Sequence, residues 1–328
     1  MSTSCLSDAC GHSTRLNQMK MSRQTRIKVC VFACGALILT WIWFKVYKDH
    51  PILELRLPRE CNLSTYTPFS ASEPLKLVIN GTPKIENIIH QYWIDHNIPA
   101  TAEQHIKSLR KNHLGWKYVL WTAASTQLLL RTRYPGLTSM FDLYAQEEKG
   151  SYAVRYIMLY EFGGAYVDLG LKSLRPLDPL FNTYSCILAR VLPEIPSLLY
   201  NFDFLLSNDF IACRKKHPFM KVLVENLPVF SEMAKSADAS GPNYMTLVFK
   251  DYMNIDEYNF TSGQYMDLFL APAEYFFPTI QSEEIELLLR ICETFNKLSF
   301  LRQRACVSLS RYGLRRTPSQ FAFTHHYG

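Results

Sequence analysis

The sequence lacks the features that define several protein classes. No two of its nine cysteines have CxxC or zinc-ligand spacing, and there is no internal repeat. Only 20% of the 328 residues are charged and 48% are hydrophobic. This ordinary globular composition excludes wholesale disorder and collagen-like or coiled-coil architecture.

The chain has no net positive charge outside its N-terminal segment. The formal net charge is +6, and residues 1–48 account for all of it, since they contain seven Lys and Arg against the single acid Asp8. The remaining 280 residues are electrically balanced. The basic pI therefore gives no support to a nucleic-acid partner, and we expect none.

An uncharged run of sixteen residues, Val29 to Phe44, lies between Lys28 and Lys45 and has Trp41 and Trp43 near one end. It is slightly shorter than the roughly 17 to 25 residues of a membrane span, but lysine snorkelling can extend it. We expect a single-pass signal anchor at 29–44; a cleaved signal peptide is the alternative. The thin excess of Lys and Arg before the run favours a cytoplasmic tail, 1–28, and a lumenal remainder.

Residues 45–83 are expected to form a stem, because Pro, Ser and Thr are frequent from Pro51 to Thr82 and helical periodicity is weak. Lumenal placement would make three sequons available for glycosylation, at Asn62, Asn80 and Asn259. The lumenal cysteines permit at most two disulfides with one thiol left over, or they remain unpaired and buried, and the sequence does not decide the pairing. They are Cys61, Cys186, Cys213, Cys292 and Cys306.

Strand and helix patterns alternate after the stem. Short apolar-aromatic strands are predicted at Asn87–Trp93 and Trp116–Trp121, with a helix over Thr101–Arg110 between them. Ser125 is a candidate cap for a second helix that runs towards Tyr134. This alternation predicts an α/β domain with a mainly parallel central sheet.

The segment after Lys149 predicts a ligand site. A helix reaching Phe162 is stopped by Gly163 and Gly164, and a short strand then leads directly to Asp168. Ligands of open α/β sheets lie outside the carboxyl ends of the strands, so Asp168 is expected to face a crevice. The alternative is that the glycines only terminate the helix and that Asp168 is a turn or capping acid.

These residues form part of an ordered set of motifs. The motifs are Ile88–Trp93, Tyr118–Trp121, Arg155–Tyr160 with Gly163–Asp168, Leu174–Leu180, His217–Phe219, Ser240–Pro242 and His325–His326. In these motifs, and over roughly residues 84–328, the chain resembles glycosyltransferase family 32, the group of fungal Golgi mannosyltransferases and inositol-phosphoceramide mannosyltransferases.

The resemblance implies a GT-A-type, nucleotide-sugar-binding catalytic domain at 84–328. It implies a retaining hexosyl transfer, most simply of mannose from GDP-mannose, to a glycan or sphingolipid acceptor. It also implies a Golgi or endoplasmic reticulum membrane location with the catalytic domain in the lumen. A divalent metal such as Mn²⁺ is expected, because it neutralises the departing diphosphate.

Most site residues follow from the same motifs. Asp168 is expected to be catalytic and to bind the metal with His325 or His326. The residues expected to bind the donor are Arg155, Gly163, Gly164, Tyr166, His90 and Trp93, and the alternative for His90 and Trp93 is the core of an edge strand. Asp209, in the segment 206–210 outside these motifs, is a further donor-binding candidate, and its alternative is a loop or turn acid.

The chain departs from the family pattern at two acids. The Asp-x-Asp motif reads Asp168-Leu169-Gly170, and the upstream Asp-x-x-Arg begins with Tyr152. Glycine offers no side-chain oxygen, and a neutral phenol is a poor metal ligand. A catalytically degraded relative that retains nucleotide or partner binding is therefore one alternative, and a membrane-anchored adaptor domain is another. Asp178, Asp203 and Asp209 are acids that could approach Asp168 and replace the missing group.

Overall fold

A computed structural model of the chain describes residues 66–68, 77–144, 147–253, 263–265, 267–277, 280, 282–311 and 323–325. The predicted tail, the predicted anchor at 29–44 and Cys61, Asn62, Asn259 and His326 lie outside these residues. Within the described part, no helix is both long enough and apolar enough to span a bilayer.

In the described part of the chain, ten strands form two sheets. They are β1 (Tyr66–Pro68), β2 (Ile88–Tyr92), β3 (Lys117–Trp121), β4 (Gly164–Val167), β5 (Leu171–Ser173), β6 (Cys186–Arg190), β7 (Leu206–Cys213), β8 (Gly263–Tyr265), β9 (Leu268–Ala271) and β10 (Phe323–His325). The central sheet has the order β1-β8-β9-β6-β7-β4-β2-β3, and β10 pairs with β5 in a separate ribbon.

Helices surround the central sheet. They are α1 (Ala100–Asn112), α2 (Ala123–Arg133), α3 (Thr138–Leu143), α4 (Glu147–Phe162), α5 (Asp178–Thr183), α6 (Glu194–Tyr200), α7 (Pro218–Phe230), α8 (Ser236–Ala239), α9 (Pro242–Met253), α10 (Ala273–Phe276), α11 (Ser282–Cys292) and α12 (Phe300–Ser310). Two short 3₁₀ turns lie at Pro135–Leu137 and Phe295–Lys297.

The α/β prediction is confirmed, but the prediction of a mainly parallel sheet is wrong. Among the described strand pairs of the central sheet, β2 with β3, β2 with β4 and β6 with β9 are parallel, and the other four pairs are antiparallel. Strand β7 runs antiparallel to both its neighbours, β4 and β6. It is buried along almost its whole length, so its sequence has no alternation from which its direction could be read.

Local predictions on the N-terminal side of the site agree with the structure to within a few residues. Strands β2 and β3 and helices α1 and α4 all occupy the expected segments. The cap of α2 differs, because Thr122 occupies the N-cap position. Ser125 is the N3 residue, and its hydroxyl accepts from the Thr122 N–H in a capping box.

Residues predicted to lie in the stem take part in the folded unit. Strand β1 pairs with β8, and the backbone N–H of Val78 donates to the hydroxyl of Thr183 over 2.9 Å. Asn80, the described sequon, is exposed. Its glycosylation remains a prediction.

Four of the five cysteines predicted to be lumenal form two disulfides. Cys186 pairs with Cys213 across β6 and β7, and Cys292 with Cys306 across α11 and α12. The structure thus decides between the alternatives that the sequence left open for these four residues.

Candidate active site

The candidate site lies where β4 ends. Strands β2, β3 and β4 are parallel, so their carboxyl ends share one edge, and Asp168 follows β4 directly, as predicted. The Asp168 N–H donates to the carbonyl of Asp209 on β7 over 2.8 Å. Antiparallel pairing of β7 with β4 therefore places a second carboxylate beside the first.

Arg155 joins these two acids. It lies on α4 and is only 4% exposed. Its Nη2 is 3.5 Å from Oδ2 of Asp168, and its Nη1 is 3.5 Å from Oδ1 of Asp209. Nη1 also donates to the carbonyl of Asn208 over 2.8 Å. One guanidinium thus fixes both carboxylates, which the planar fork of arginine can do and a lysine cannot.

Two tyrosine rings contact the same guanidinium. Its Cζ lies 4.3 Å from the ring centre of Tyr166 and 4.8 Å from that of Tyr152. Tyr166 is buried at 1% exposure and packs against Arg155, so the structure shows a contact with the guanidinium, and contact with the sugar-nucleotide donor remains a prediction. Burial alone lowers the pKa of Arg155, but Tyr166, Asp168 and Asp209 outweigh it and raise that pKa. Arg155 is therefore cationic throughout the physiological range.

The three charged groups sum to −1. The side chains of Asp168 and Asp209 are 25% and 33% exposed, so each carboxylate is partly open to solvent. Oδ1 of Asp168 also accepts from the Gly170 N–H over 3.0 Å. A site with a net negative charge and exposed acceptors suits hydroxyl donors such as ribose or hexose and repels phosphate.

Tyr152 occupies the position of the missing upstream acid. Its hydroxyl donates to Oε1 of Glu148 over 2.6 Å, one helical turn earlier on α4. Burial raises the pKa of Tyr152, and the Glu148 hydrogen bond raises it further, so the phenol stays protonated. The Glu148 carboxylate thus lies beside Tyr152, whose own side chain is not an acid. The sequence prediction missed Glu148, although its spacing of four from Tyr152 was the available signal.

Two cavities in the described part of the chain are lined in part by residues of α4. A cleft of about 670 Å³ lies on the Tyr152 side and is lined by Glu148, Tyr152, Tyr200, Lys235 and Ser236 among others. Lys235 and Tyr200 are exposed there. The cleft therefore offers an acid, a cation, hydroxyls and an aromatic ring within one concave surface.

The second cavity is smaller, about 200 Å³, and lies at the carboxyl end of β2. Tyr92, Thr126, Phe141, Gly150 and Val154 are among its lining residues. Val154 precedes Arg155 on α4, so this cavity and the Asp168 site share one helix.

Gly163 and Gly164 have a backbone role. Their φ angles are +68° and +98°, which a side chain disfavours. A Cβ on Gly163 would lie 2.6 Å from the Lys215 N and would collide with the Glu86 carboxylate; one on Gly164 would collide with the backbone of Ile88. The two glycines thus allow close approach of neighbouring chain segments, and their contact with the donor remains a prediction.

His90 was predicted to bind the donor, but it lies in the core at 1% exposure. Its Nδ1 accepts from the Trp121 indole over 2.9 Å. An indole can only donate, so Nε2 carries the proton and donates to the Gly163 carbonyl over 2.8 Å. Burial lowers the pKa of His90 to about 4. Both nitrogens are engaged, and His90 anchors the Gly163 turn instead of facing a ligand.

Trp93 is only partly buried, and its indole donates to the carbonyl of Asn97 over 3.0 Å. It remains a candidate for contact with the donor.

Of the three acids considered as replacements for the missing carboxylate, only Asp209 reaches the Asp168 site. Asp203 pairs with Lys250, and Asp178 accepts from the Trp116 indole.

The described residues do not form a complete cation site at Asp168. Asp168 and Asp209 are already bridged by a guanidinium, and Gly170 supplies no oxygen. Pairing of β10 with β5 places the backbone of His325 opposite Leu171, three residues after Asp168. Within the described part of the chain, the one group of three ligand-type side chains is Cys186, Cys213 and His217, and its cysteines form a disulfide. The predicted metal role of His325 and His326 remains a prediction.

Comparison with known proteins identifies the class to which the chain belongs. Residues 99–186 match the glycosyltransferase sugar-binding region containing the DXD motif. This stretch includes Arg155 and Asp168. DXD glycosyltransferases generally use a divalent metal. The chain is thus a glycosyltransferase, as the sequence predicted.

Particular relatives share this similarity. Inositol phosphoceramide mannosyltransferase 1 of Schizosaccharomyces pombe is 27% identical over 67% of this chain and 67% of its own. Inositol phosphoceramide mannosyltransferase 3 of Schizosaccharomyces pombe is 34% identical over 46% of this chain and 40% of its own. Mannosyl phosphorylinositol ceramide synthase CSH1 of Saccharomyces cerevisiae is 26% identical over 58% and 48%. These matches confirm the predicted resemblance to family 32. The chain spans about half the length of the latter two relatives.

Among solved structures, PaToxG glycosyltransferase is similar with a TM-score of 0.39 and 14% identity, over 72% of this chain and 88% of its own.

Proposed function

We propose that the protein transfers mannose from GDP-mannose to the polyol head group of a sphingolipid of the inositol phosphoceramide type, with retention of the α configuration. The observation that carries the proposal is the Asp168–Arg155–Asp209 arrangement at the carboxyl edge of the parallel strands. The names of the curated relatives support this donor sugar and acceptor class.

The acids would bind the donor through its hydroxyl groups. Arg155 holds one oxygen of each carboxylate, and the exposed remainder of Asp168 and Asp209 can accept hydrogen bonds from hexose or ribose. This fixes the anomeric carbon relative to the acceptor. In the transfer, the bond between that carbon and the diphosphate oxygen breaks, a bond to the acceptor hydroxyl oxygen forms, and the acceptor proton is released.

The two cavities suggest where the two substrates lie. The cavity at Tyr92 would take the guanine base, with Trp93 as a neighbouring contact. The larger cleft at Tyr152 would take the acceptor, because Lys235 can meet a phosphodiester while Glu148 can accept hydrogen bonds from polyol hydroxyls. Tyr152 then lies between donor and acceptor.

The proposal includes an N-terminal anchor at 29–44 and a Golgi or endoplasmic reticulum membrane with the catalytic domain in the lumen. The uncharged run and its basic flank support it. It also includes Mn²⁺ as the ion that would neutralise the diphosphate, since the −1 charge of the Asp168 site cannot do so.

Transfer is tested with the purified full chain, GDP-mannose and inositol phosphoceramide, with mannosylated lipid measured by mass spectrometry. We expect product that depends on donor and is abolished in Asp168→Asn, an isosteric change that removes the charge. Glu103→Gln, a change at an exposed acid on α1, is the matched control and should retain activity.

Absence of product with every acceptor would overturn the proposal. In that case, thermal stabilisation by GDP-mannose would identify the degraded alternative, a fold that binds a nucleotide sugar without transferring the sugar.

A further inference from the structure

An exposed apolar surface lies at the C-terminal end of the described chain. Phe300 is 75% exposed, Val307 45% and Phe295 37%. With Arg304 and Arg311 they line a surface cleft of about 680 Å³. We call these five residues the C-terminal surface.

The packing of α12 against the rest of the fold does not depend on the exposed apolar side chains. The opposite face of α12 packs in a core cluster through Ala305, Cys306 and Leu309, and the Cys292–Cys306 disulfide ties α12 to α11. The helix is therefore held without its outer apolar residues. Apolar groups clustered on an outer face mark a contact surface.

The charge of this region indicates what the contact is. The described residues 294–311 contain four Lys and Arg and no Asp or Glu. Arg304 and Arg311 belong to the cleft itself. Apolar side chains flanked by cations suit the boundary between anionic head groups and acyl chains. A second copy of the same surface would bring like charges together, which opposes self-association here.

The C-terminal surface leads to the candidate acceptor cleft. The hydroxyl of Ser299, next to Phe300, donates to Oδ1 of Asn201 over 2.5 Å. Asn201 lies between Tyr200 and Phe202, which are 45% and 43% exposed, and their ring centres are 6.1 Å apart. Tyr200 lines the cleft that contains Tyr152. Exposed aromatic side chains therefore extend from α12 to the edge of that cleft.

We propose that the C-terminal surface lies on an anionic lipid bilayer. Phe295, Phe300 and Val307 enter the acyl boundary, and Arg304 and Arg311 contact lipid phosphates. A lipid acceptor in that bilayer then reaches the Tyr152 cleft past Tyr200. This last step rests on the proposed function, whereas bilayer contact is measured without turnover.

The test measures tryptophan fluorescence of the full chain carrying Phe300→Trp. The protein is mixed with phosphatidylcholine vesicles that contain lipids brominated on their acyl chains. The vesicles are prepared with and without phosphatidylserine. Leu128→Trp, at a 64% exposed site on α2, is the matched control. The control separates contact at α12 from membrane attachment by the N-terminus. We expect brominated lipid to quench the added indole of Phe300→Trp at least about twofold more than that of Leu128→Trp, because bromine quenches only at contact distance. Equal quenching at the two sites would overturn the proposal.

Charge reversal gives a second measurement. Arg304→Glu with Arg311→Glu should remove the increase in Phe300→Trp quenching that phosphatidylserine produces, and Lys107→Glu, at a 77% exposed lysine, should not. An unchanged phosphatidylserine effect in the double variant would contradict the role of these arginines.

Quenching at Phe300→Trp without sugar transfer would support the bilayer contact and refute the transferase proposal. Sugar transfer without quenching at Phe300→Trp would support the transferase proposal and refute the bilayer contact.

Discussion

Arg155 and Asp168 are in contact at 3.5 Å, and the same guanidinium reaches Asp209 at an equal distance. One buried cation thus organises two acids that are far apart in the sequence. Because the carboxylates retain exposed surface while the guanidinium does not, Arg155 positions the two acids and the acids are the groups left accessible.

Replacing Arg155 by Met should leave two carboxylates facing each other without a cation. We expect a loss of unfolding free energy of the order of 3 kcal/mol, since one partner of a buried pair is removed. Urea denaturation measures it. Arg290→Met, which breaks an exposed pair with Glu286, should cost less than about 1 kcal/mol. Equal losses in the two variants would contradict the positioning role of Arg155.

Gly170→Asp should restore the second acid of the DXD motif. Gly170 does not have a positive φ, so its backbone accepts a side chain. We expect the affinity for GDP in the presence of Mn²⁺ to rise about tenfold, equivalent to roughly 1.4 kcal/mol. Calorimetry with and without Mn²⁺ measures this. Gly170→Asn, which has the same shape and no charge, is the control, and an equal gain in both variants would argue against a metal contact at this position.

Gly163→Ala should destabilise the fold by about 2 kcal/mol or more, because φ is positive and the new Cβ meets Lys215 and Glu86. Gly136→Ala is the matched control, since nothing lies within 4 Å of its added Cβ. Thermal unfolding compares them. A stable Gly163→Ala variant would show that the turn at the end of α4 can relax.

Stability should fall with acid in a way that depends on His90. Burial lowers the pKa of His90 from 6.5 to about 4, so the folded state resists its protonation. The stabilisation is complete above pH 6.5 and is lost as the pH falls towards 4. Between pH 7 and pH 5 we expect this residue to reduce the unfolding free energy by about 2 kcal/mol.

Urea denaturation across that pH range measures the effect of His90. His90→Gln should flatten the dependence, whereas His96→Gln, at an exposed histidine, should leave it unchanged. An identical slope in wild type and His90→Gln would show that His90 does not control it.

The sequence by itself determined the local elements and the position of Asp168. Helix α4, its two terminal glycines and strand β4 follow from periodicity and from the conformational freedom of glycine, and both act over a few residues. The family motifs likewise lie within short segments.

Only the tertiary structure decided which groups meet at the site. Asp209 is 54 residues from Arg155, and it arrives through the antiparallel pairing of β7, a strand whose buried sequence does not encode its direction. His90 has the composition of a ligand residue, yet packing gave it two internal hydrogen bonds. Such pairings depend on how whole faces are buried against each other, and that information is not contained in any one segment of the chain.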